Sequence, residues 1–381
     1  MDACVRHRRI WEVLYVLFGG WIRRRFRLDS ERVTVDGPIL LISNHVTSWD
    51  PLLVGLAFRH RQLYFVASEH IFRWGLIAAI LNWMFAPISR RKGAAAADTV
   101  KNCLRYLKAG HAVCIFGEGE QCWDGKSRQV IPGTGKLAKI SGATLVTYRL
   151  EGGYLSLPRW GRGLRRGRMR SRVVGIYPPE RLAAMNPGEI NAAIDRDIFE
   201  DAWVRQEAEP VAYRGKHPAE RLERMLYLCP NCGGIGTLRS ERDRLRCSCG
   251  LDLRLTELGT FEPDTPFATI ADWETWEWEQ LHRRAFRMPE EKGLLFRDEQ
   301  MTLSRIAAGH RQEELGSGDL SQYEDRLVCA GHSFSMDEIQ DMAMTQTDRL
   351  LFTVGREYYQ IRAVQGANLR KYLEIWKEKN K

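Results

Sequence analysis

Residues 39–51 have the sequence ILLISNHVTSWDP, in which a short apolar run is followed by a histidine and an aspartate. Residues 39–42 are continuously apolar, which is typical of a strand buried in a parallel sheet. The hydroxyl residues that come next, with Asp50 and Pro51, indicate the start of a helix. His45 is therefore expected at the carboxyl end of a strand, where open α/β sheets bind their ligands.

The spacing of His45 and Asp50 suits general-base chemistry. A neutral imidazole can accept a proton from a hydroxyl if a partner holds its other ring nitrogen. An aspartate slightly more than one helical turn later can accept that second N–H and stabilise the imidazolium that forms. A helix-capping aspartate next to an unrelated loop histidine has the same spacing, so the pair alone leaves both interpretations open.

The segments that follow continue an alternation of strands and helices. Strands are predicted at residues 62–67 and 112–116, an apolar helix at residues 71–85, and an amphipathic helix that ends at Gly110. Charged and glycine residues come directly after strands, and glycines there let a backbone approach a ligand closely. These residues are Arg90, Arg91 and Lys92, and then Gly117, Glu118, Gly119 and Glu120.

Together these blocks resemble the glycerolipid acyltransferase family, the enzymes related to 1-acylglycerol-3-phosphate acyltransferase. The first block of that family is Asn-His, four variable residues and Asp, which Asn44, His45 and Asp50 match. Its second block ends in an isoleucine and an arginine, which Ile88 and Arg90 match.

The third and fourth blocks of the family are matched in part. The third is Phe-Pro-Glu-Gly-Thr-Arg, of which Phe116, Glu118 and Gly119 are present. The fourth is a hydrophobic strand, which corresponds to residues 143–150. The resemblance covers residues 10–205, a little over half of the chain.

Three departures from the third block bear on the acceptor. Gly117, Glu120 and Gln121 stand where the family usually has proline, threonine and an arginine that helps bind the phosphate of the acceptor. Arg90 and Arg91 still suit a phosphate, because a guanidinium presents a planar fork to its oxygens. The acceptor is therefore either a lysophospholipid or a different hydroxylated lipid.

The resemblance implies transfer of an acyl chain from acyl-CoA or acyl carrier protein to a lipid hydroxyl, with no covalent acyl-enzyme and no further organic cofactor. His45 would deprotonate the hydroxyl and Asp50 would orient the imidazole. A backbone N–H of the glycine loop is a candidate for the developing oxyanion. Glu118 has two interpretations, a wall of the pocket or a carboxylate bonded to loop amides. The residues implied to bind substrate are Asn44, Arg90, Arg91, Gly117, Glu118 and Gly119.

The composition indicates anionic partners. The 381 residues, 44% of them hydrophobic, suffice for two or three domains, and Lys+Arg 57 against Asp+Glu 48 gives a net charge of +9. Such a charge favours anionic lipids, CoA phosphates or nucleic acid. Arginines cluster at residues 23–27 and 159–172 beside tryptophans and other apolar residues, a pattern typical of interfacial anchoring.

No segment of the sequence is predicted to span a bilayer. Residues 10–22 are too short and contain Glu12, and residues 74–88 fall short of the roughly 20 residues that a spanning helix needs. A secretory signal is not expected, because arginines bound the first apolar run on both sides. We therefore expect a cytoplasmic protein that is attached peripherally to the anionic inner face of the membrane.

Four of the nine cysteines form two closely spaced pairs, Cys229 with Cys232 and Cys247 with Cys249. Four thiolates so arranged can close a tetrahedral zinc site, which a short segment with little apolar core needs in order to fold. Disulfides are the alternative, but a reducing cytoplasm and the glycines near each pair favour zinc. Because the pattern contains no histidine and no vacant ligand position, this zinc is expected to be structural.

The chain beyond the cysteines is predicted to be rich in short strands. A linker helix at residues 270–288 carries tryptophans that are expected to pack between domains. Strands followed by one terminal amphipathic helix resemble a pleckstrin-homology-like barrel. The strands are predicted at residues 293–296, 300–304, 326–328, 349–354 and 357–362.

The predicted fold is an α/β acyltransferase domain with a mostly parallel sheet flanked by helices, followed by a zinc ribbon and a small β-rich domain. The predicted bounds are residues 1–210, 225–262 and 290–381, with the linker helix between the last two.

The predicted function is acylation of 1-acyl-sn-glycerol-3-phosphate to phosphatidic acid in phospholipid biosynthesis. One alternative is acylation of another lysolipid or lipid hydroxyl. The other is a nucleic-acid-binding or scaffold protein, since a basic zinc ribbon beside an arginine run is also typical of RNA binding. The nucleic-acid interpretation leaves the blocks around His45 and Arg90 unexplained, so nucleic acid is not the expected partner.

Overall fold

The computed structural model describes residues 3–68, 76–90, 97–262, 265–283, 293–307, 311–363 and 367–380. The chain forms two compact units. The first contains Met1–Arg159 and Leu164–Gly215, and the second contains Trp160–Gly163 and Lys216–Lys381.

The first unit alternates strands with helices. Its elements are α1 (Ala3–Phe26), β1 (Leu28–Ser30), β2 (Ile39–Ser43), α2 (Asp50–Gly55), β3 (Leu63–Ser68), α3 (Leu76–Phe85), β4 (Ile88–Arg90), α4 (Ala97–Lys108), β5 (Ala112–Phe116), α5 (Gly133–Ser141), β6 (Thr144–Glu151), α6 (Gly153–Ser156), β7 (Met169–Tyr177), α7 (Pro179–Ala184), α8 (Pro187–Ile198) and α9 (Ala202–Ala208).

These strands form one seven-stranded sheet in the order β1-β7-β6-β2-β5-β3-β4. Strand β2 lies in the middle and is parallel to both neighbours, and every one of its residues is buried. Strands β3 and β4 continue the parallel part, whereas β7 runs antiparallel to β6. The predicted α/β fold with a mostly parallel sheet is confirmed, and the continuous apolar run of β2 reflects its burial on both faces.

The elements around the sheet agree with the sequence pattern to within a few residues. Helix α2 begins at Asp50 with Pro51 in its first turn, where a missing N–H breaks no helical bond. Helix α3 occupies the later part of the predicted helix at residues 71–85, and residues 71–75 lie outside the described residues.

The second unit is built on two antiparallel sheets. Strands β8 (Leu238–Glu241), β9 (Arg244–Cys247), β10 (Asp252–Leu255) and β11 (Phe261–Glu262) form the first, in the order β11-β10-β9-β8. Helix α10 (Ile270–Arg283) comes next. Seven strands form the second sheet, and α11 (Arg370–Lys379) follows them. These strands are β12 (Leu294–Ile306), β13 (Gln312–Tyr323), β14 (Arg326–Cys329), β15 (His332–Ser335), β16 (Ile339–Thr345), β17 (Arg349–Val354) and β18 (Glu357–Ala363).

The order of the second sheet is β15-β14-β13-β12-β18-β17-β16. Two of the predicted strands, residues 293–296 and 300–304, belong to the single strand β12. Its register against β13 shifts between Asp298 and Met301, and Gln300 there has a φ of 58°, so a bulge divides one strand without ending it. A β-rich region is thus confirmed, and its likeness to a pleckstrin-homology-like barrel stays a prediction.

Helix α11 packs on the seven-stranded sheet through polar as well as apolar contacts. Tyr372 is fully buried, and its hydroxyl lies 2.6 Å from Asp298 Oδ2 and 2.9 Å from the Leu320 carbonyl oxygen. Lys371 Nζ lies 2.5 Å from the same carboxylate. Buried charges need partners of this kind, so the register of α11 on the sheet is fixed.

Candidate active site

His45 and Asp50 are in contact at the carboxyl end of β2. His45 Nδ1 lies 2.7 Å from Asp50 Oδ2. The carboxylate is fully buried, whereas 24% of the imidazole side chain is exposed. Because the carboxylate can only accept at this contact, Nδ1 carries the proton and Nε2 has its lone pair free to accept another. The partly exposed imidazole can therefore act as a base toward a bound hydroxyl.

The loop after β2 holds Asp50 in place with further donors. Its carboxylate accepts the backbone N–H of Val46 at 2.7 Å and of Thr47 at 2.9 Å, and the Thr47 hydroxyl at 2.6 Å. Since these donors come from consecutive residues, the loop and the carboxylate fix each other. The imidazole thus meets a partner whose position is set before substrate arrives.

The ring of Phe116 sets the plane of the imidazole. Its centroid lies 4.4 Å from that of His45, with the two rings nearly parallel at 21°. Phe116 ends β5, which pairs with β2 along its whole length up to Ser43. The strand that carries the third sequence block therefore supports the base of the first block.

Glu118 bonds to backbone amides of two loops. Its Oε1 accepts the N–H of His45 at 2.9 Å and its Oε2 accepts the N–H of Arg128 at 2.8 Å. Burial raises the pKa of this carboxyl to about 7, although both amide hydrogen bonds act in the opposite direction. Of the two interpretations of Glu118, its described contacts are those of a carboxylate bonded to loop amides.

The two glycines beside Glu118 allow close backbone packing. A Cβ on Gly117 would lie 2.7 Å from Val130 Cγ1, and one on Gly119 would lie 2.7 Å from Ile131 Cδ1. The N–H of Gly117 donates to Ser43 O and that of Gly119 to Phe116 O, each at 3.1 Å. Both amides are therefore used within the protein, and neither is available as a donor to an oxyanion.

Asn44 supports the sheet from its fully buried position. Its Nδ2 donates to the carbonyl of Leu150 and its Oδ1 accepts the N–H of Leu150, both at 2.8 Å. The side chain thus pairs with β6 as a strand would. This contact explains the asparagine before His45 as a positioning group, and its predicted contact with substrate stays a prediction.

Two residues that the sequence pattern did not single out for this role secure the loop after β2 from the other side. The N–H of Cys122 donates to the His45 carbonyl at 2.7 Å. Gln121 Nε2 donates to the Val46 carbonyl at 3.0 Å. Gln121 therefore fixes the loop where the family usually has a phosphate-binding arginine.

Arg90 ends β4 at the same edge of the sheet as His45. It is half-buried, and within the described part of the chain no carboxylate pairs with it. Three strand spacings, about 14 Å, separate β4 from β2 in the sheet. Arg91, predicted beside it as a second phosphate ligand, lies outside the described residues, as does Lys92.

The four paired cysteines form a cluster that could hold a metal ion. All four sulfur atoms lie within 4.8 Å of one another. Cys229 Sγ lies 3.6 Å from Cys249 Sγ, and Cys232 Sγ lies 3.8 Å from Cys247 Sγ. Tetrahedral zinc with bonds of about 2.3 Å places its sulfurs about 3.8 Å apart, and disulfides need about 2.05 Å. The donor set fits zinc, and these sulfur distances are too long for disulfide bonds.

Helix α10 is tied to the first cysteine pair. Glu277, which is fully buried, accepts the N–H groups of Tyr227 and Leu228 at 2.6 and 2.7 Å. Trp273 Nε1 donates to the Leu228 carbonyl at 3.1 Å. The expectation that a tryptophan of this helix serves packing rather than ligand binding is consistent with the contacts of Trp273.

Residues 25–151 match the model of the Acyltransferase family. This part of the chain is an acyltransferase-family domain. It contains His45, Asp50, Arg90 and Glu118, that is, the first three sequence blocks.

The chain is also similar to a solved structure, the 1-acyl-sn-glycerophosphate (LPA) acyltransferase PlsC from Thermotoga maritima. The TM-score is 0.40 and the sequence identity 14%, over 54% of this chain and 96% of that chain. Within the described residues, no helix combines the length and the apolar character that crossing a membrane requires.

Proposed function

We propose that the acyltransferase domain moves a fatty acyl chain from a thioester donor to the hydroxyl of 1-acyl-sn-glycerol-3-phosphate, giving phosphatidic acid. The observation that carries the proposal is the contact of 2.7 Å between His45 and the buried, fully bonded Asp50. The family match to residues 25–151 supports the reaction class.

The reaction uses one base and forms no acyl-enzyme. His45 Nε2 takes the proton of the lipid hydroxyl while its oxygen attacks the thioester carbonyl. Asp50 stabilises the imidazolium that results. The tetrahedral intermediate then collapses, its carbon–sulfur bond breaks, and the leaving thiolate receives the proton from the imidazolium. The products are an ester and a free thiol, and the base is restored.

Arg90 is the proposed ligand of the acceptor phosphate. It lies at the reactive edge of the sheet and has no described carboxylate partner, so its fork is available to an anion. Arg90→Ala should raise the KM of the acceptor at least tenfold and leave the KM of the donor within a factor of two. Arg90→Lys should restore only part of the loss. Equal effects on both substrates would contradict this assignment.

The surface of helices α1 and α3 supports action at a membrane. Nine large apolar residues on the two helices are each 47–78% exposed. The helices pack side by side, with the Arg6 guanidinium 5.2 Å from the centroid of the Trp83 ring. An apolar face beside arginines is typical of helices that lie in the headgroup region. These residues are Val13, Val16, Leu17, Phe18, Trp21, Leu76, Ile77, Ile80 and Trp83, and we name them the apolar face.

We propose that the cysteine cluster holds one structural zinc through Cys229, Cys232, Cys247 and Cys249. The spacing of the four sulfurs supports zinc, and four protein ligands leave no position for a substrate. Bound there, zinc would supply folding free energy to the ribbon rather than chemistry.

A different lipid hydroxyl is the second candidate acceptor, because Gln121 replaces an arginine and is bonded to the Val46 carbonyl. Nucleic acid is a weaker candidate, since three of the five arginines of the ribbon pair with carboxylates. Arg244 and Arg246 both contact Asp252, and Arg254 contacts Glu262. These pairs reduce the positive charge that the ribbon offers to a phosphate backbone.

One experiment tests the reaction and the acceptor together. The purified chain is incubated with a panel of lysolipids and with acyl-CoA or acyl carrier protein donors, and the products are identified by mass spectrometry. We expect phosphatidic acid as the main product, and its loss in the His45→Ala variant. Acyl transfer to lysolipids without a phosphate, but not to 1-acyl-sn-glycerol-3-phosphate, would contradict the proposed acceptor and still support the acyl-transfer reaction.

A further inference from the structure

A cavity at the end of α1 is lined by one tryptophan and four arginines. Its volume is about 390 Å³, and its lining consists of Trp21, Arg24, Arg25, Arg27 and Arg166. We name it the arginine pocket. The proposed reaction steps use none of these residues.

Ion pairing distinguishes the four arginines of the pocket from arginines close to them in sequence. In the described ranges of the chain, none of them has a carboxylate partner. Their neighbours in sequence differ, since Arg168 and Arg170 pair with Glu209 and Arg172 pairs with Glu151. Arg24, Arg27 and Arg166 are exposed and Arg25 is half-buried, and the positive potential of the four side chains favours an anion at the cavity.

Helix electrostatics explain only part of this arrangement. Arg24 and Arg25 lie in the last turn of α1, where the negative end of the helix dipole favours cations. Arg166 lies in a segment that is distant in sequence, so the dipole of α1 does not explain its position. Its N–H and carbonyl both bond to Arg214, at 2.8 and 3.1 Å, so the backbone delivers this arginine to the pocket.

The pocket lies toward the reactive edge of the sheet. Strand β1 begins at Leu28, directly after the pocket residue Arg27. Leu28 pairs with Met169 of β7, and the next residue, Arg170, pairs with Glu151 at the carboxyl end of β6. The Trp21 ring also contacts that of Trp49, with centroids 6.2 Å apart. Trp49 directly precedes Asp50, so a residue that lines the arginine pocket contacts the loop that carries the proposed catalytic pair.

We propose that the arginine pocket binds the phosphorylated adenosine end of a coenzyme A thioester donor. This inference rests on the proposed function, because it assumes a thioester donor. The adenosine end of coenzyme A carries a 3′-phosphate and a 5′-diphosphate, which match several guanidinium forks. Trp21 is the last residue of the apolar face on α1 and also lines the pocket, and its half-exposed indole offers a ring face on which adenine can stack. The cavity falls in the size range of small-molecule sites, about 300–1,000 Å³.

The geometry of the reaction places the two phosphate-bearing substrates in different sites. The phosphate of a lysophosphatidic acid is a few bonds from its reacting hydroxyl, so it has to bind close to His45. The adenosine phosphates of coenzyme A are a long pantetheine arm away from the thioester, which suits a pocket beyond Trp49. A carrier protein would instead need a broad patch, and a concave pocket walled by an indole fits a planar base better.

The test measures binding before it measures turnover. Adenosine 3′,5′-bisphosphate and coenzyme A are titrated by calorimetry into the full chain, its Arg166→Gln variant and its Arg24→Gln/Arg166→Gln variant. We expect coenzyme A to bind about tenfold more weakly to the single variant and weaker still to the double variant. Arg172→Gln is the matched control, because it removes a nearby arginine that already has a partner, and it should bind coenzyme A as the unmodified chain does.

Kinetics with acyl-CoA then separate the two substrates. In the double variant the donor KM should rise at least tenfold, while the acceptor KM and kcat stay within a factor of two. The effect should shrink when the donor lacks its 3′-phosphate. Unchanged coenzyme A binding in the double variant, accompanied by a loss of binding to anionic vesicles, would overturn the proposal and assign the pocket to lipid headgroups.

The outcomes also distinguish this inference from the proposed function. If the chain transfers acyl groups from acyl carrier protein but binds no coenzyme A, the pocket assignment fails and the acyltransferase function stands. If coenzyme A binds through these arginines but no lipid is acylated, the pocket assignment stands and the proposed acceptor or reaction fails.

Discussion

At the scale of single residues, the carboxylate of Asp50 joins the proposed base, His45, to the loop that follows β2. It accepts hydrogen bonds from His45, Val46 and Thr47 while it is fully buried. A carboxylate with this many donors positions the imidazole without any adjustment when substrate binds. The base and the geometry of its loop therefore depend on the same two oxygen atoms.

We expect His45→Ala to lower kcat by about two to four orders of magnitude with little change in the unfolding midpoint, because the imidazole supplies the base. Asp50→Asn should lower kcat almost as far and also destabilise the fold, since an amide nitrogen cannot accept the N–H groups of Val46 and Thr47. Steady-state acyl transfer and thermal unfolding measure both effects. Asp98→Asn, on the exposed side of α4, is the control. A folded His45→Ala protein with full activity would exclude His45 as the general base.

The raised pKa of the Glu118 carboxyl predicts that the stability of the fold depends on pH. Its pKa is raised to about 7 by burial, so the folded state keeps a proton that the unfolded state loses near pH 4.5. Its contribution to the free energy of unfolding should therefore fall as the pH rises from about 4.5 to 7, by an amount on the order of 3 kcal/mol. Denaturant unfolding of the unmodified chain and of Glu118→Gln over this range gives the difference. Glu180→Gln, on the surface, is the control, and a difference that does not vary with pH would refute the assignment.

The sequence was sufficient to predict the pair at the centre of the site but not the contacts that hold it. His45 and Asp50 are five residues apart, and one loop determines their contact. Asn44 bonds to Leu150, and Gln121 bonds to Val46, across 106 and 75 residues. Such partners depend on the order of strands in the sheet, which a local pattern does not contain.

At the scale of elements, helices α1 and α3 both expose large apolar residues to solvent. The buried side of α1 includes Trp11, Ile22 and Phe26, whereas Val16 and Leu17 are more than half exposed on the other side. Both sides of the helix are thus apolar and only one is covered by the protein. We infer that the second side is covered by lipid.

We expect the double variant Leu17→Asp/Ile80→Asp to bind anionic vesicles at least about tenfold more weakly, because each change places a charge in the apolar face. Vesicle co-sedimentation at fixed salt measures the effect. Val204→Asp on α9 is a matched control, since Val204 is equally exposed but lies outside the apolar face. Equal losses in the control and the double variant would argue against a specific docking surface. Activity toward acceptor dispersed in detergent should be retained.

The strands of the two seven-stranded sheets differ in how well the sequence predicts them. Strands β2 and β5 are short apolar runs between polar loops, and their pattern alone locates them. Strand β13 has the sequence QEELGSGDLSQY, with two glycines and few apolar residues, and it was not predicted. It is stabilised by pairing with β12 along most of its length, a long-range contact that outweighs its weak intrinsic preference.

At the scale of the whole molecule, the net charge of +9 is not spread evenly over the surface. Arginines of the run at residues 159–172 mostly bond to glutamates, as Arg162 does to Glu220 and Arg159 to Glu120. The positive charge that remains available includes the arginine pocket and Arg90, both in the unit that carries the catalytic pair. This distribution favours recognition of phosphate groups by local sites over attraction to an extended polyanion.

The two units should respond differently to loss of zinc. In the second unit Glu277 and Trp273 bond α10 to the segment before Cys229, and Glu274 of the same helix pairs with Arg370 of α11. Loss of the metal should therefore loosen more than the ribbon, since these contacts link the cysteine cluster to both helices. We expect Cys232→Ser to lower the bound zinc from one per chain to well below one, and to make residues 225–262 sensitive to protease. Metal analysis and limited proteolysis measure the two effects.

Cys329→Ser is the control for this variant, because Cys329 is a buried thiol of the same unit that lies outside the cluster. It should keep its zinc. Since His45 and Asp50 belong to the other unit, kcat per folded Cys232→Ser molecule with detergent-dispersed acceptor should stay within about a factor of two. A large fall in kcat without a fall in zinc content, or full zinc content in Cys232→Ser, would contradict a structural metal held by these four thiolates. A fall in zinc content with kcat preserved would show that the metal stabilises the second unit and that the reaction depends on residues of the first unit.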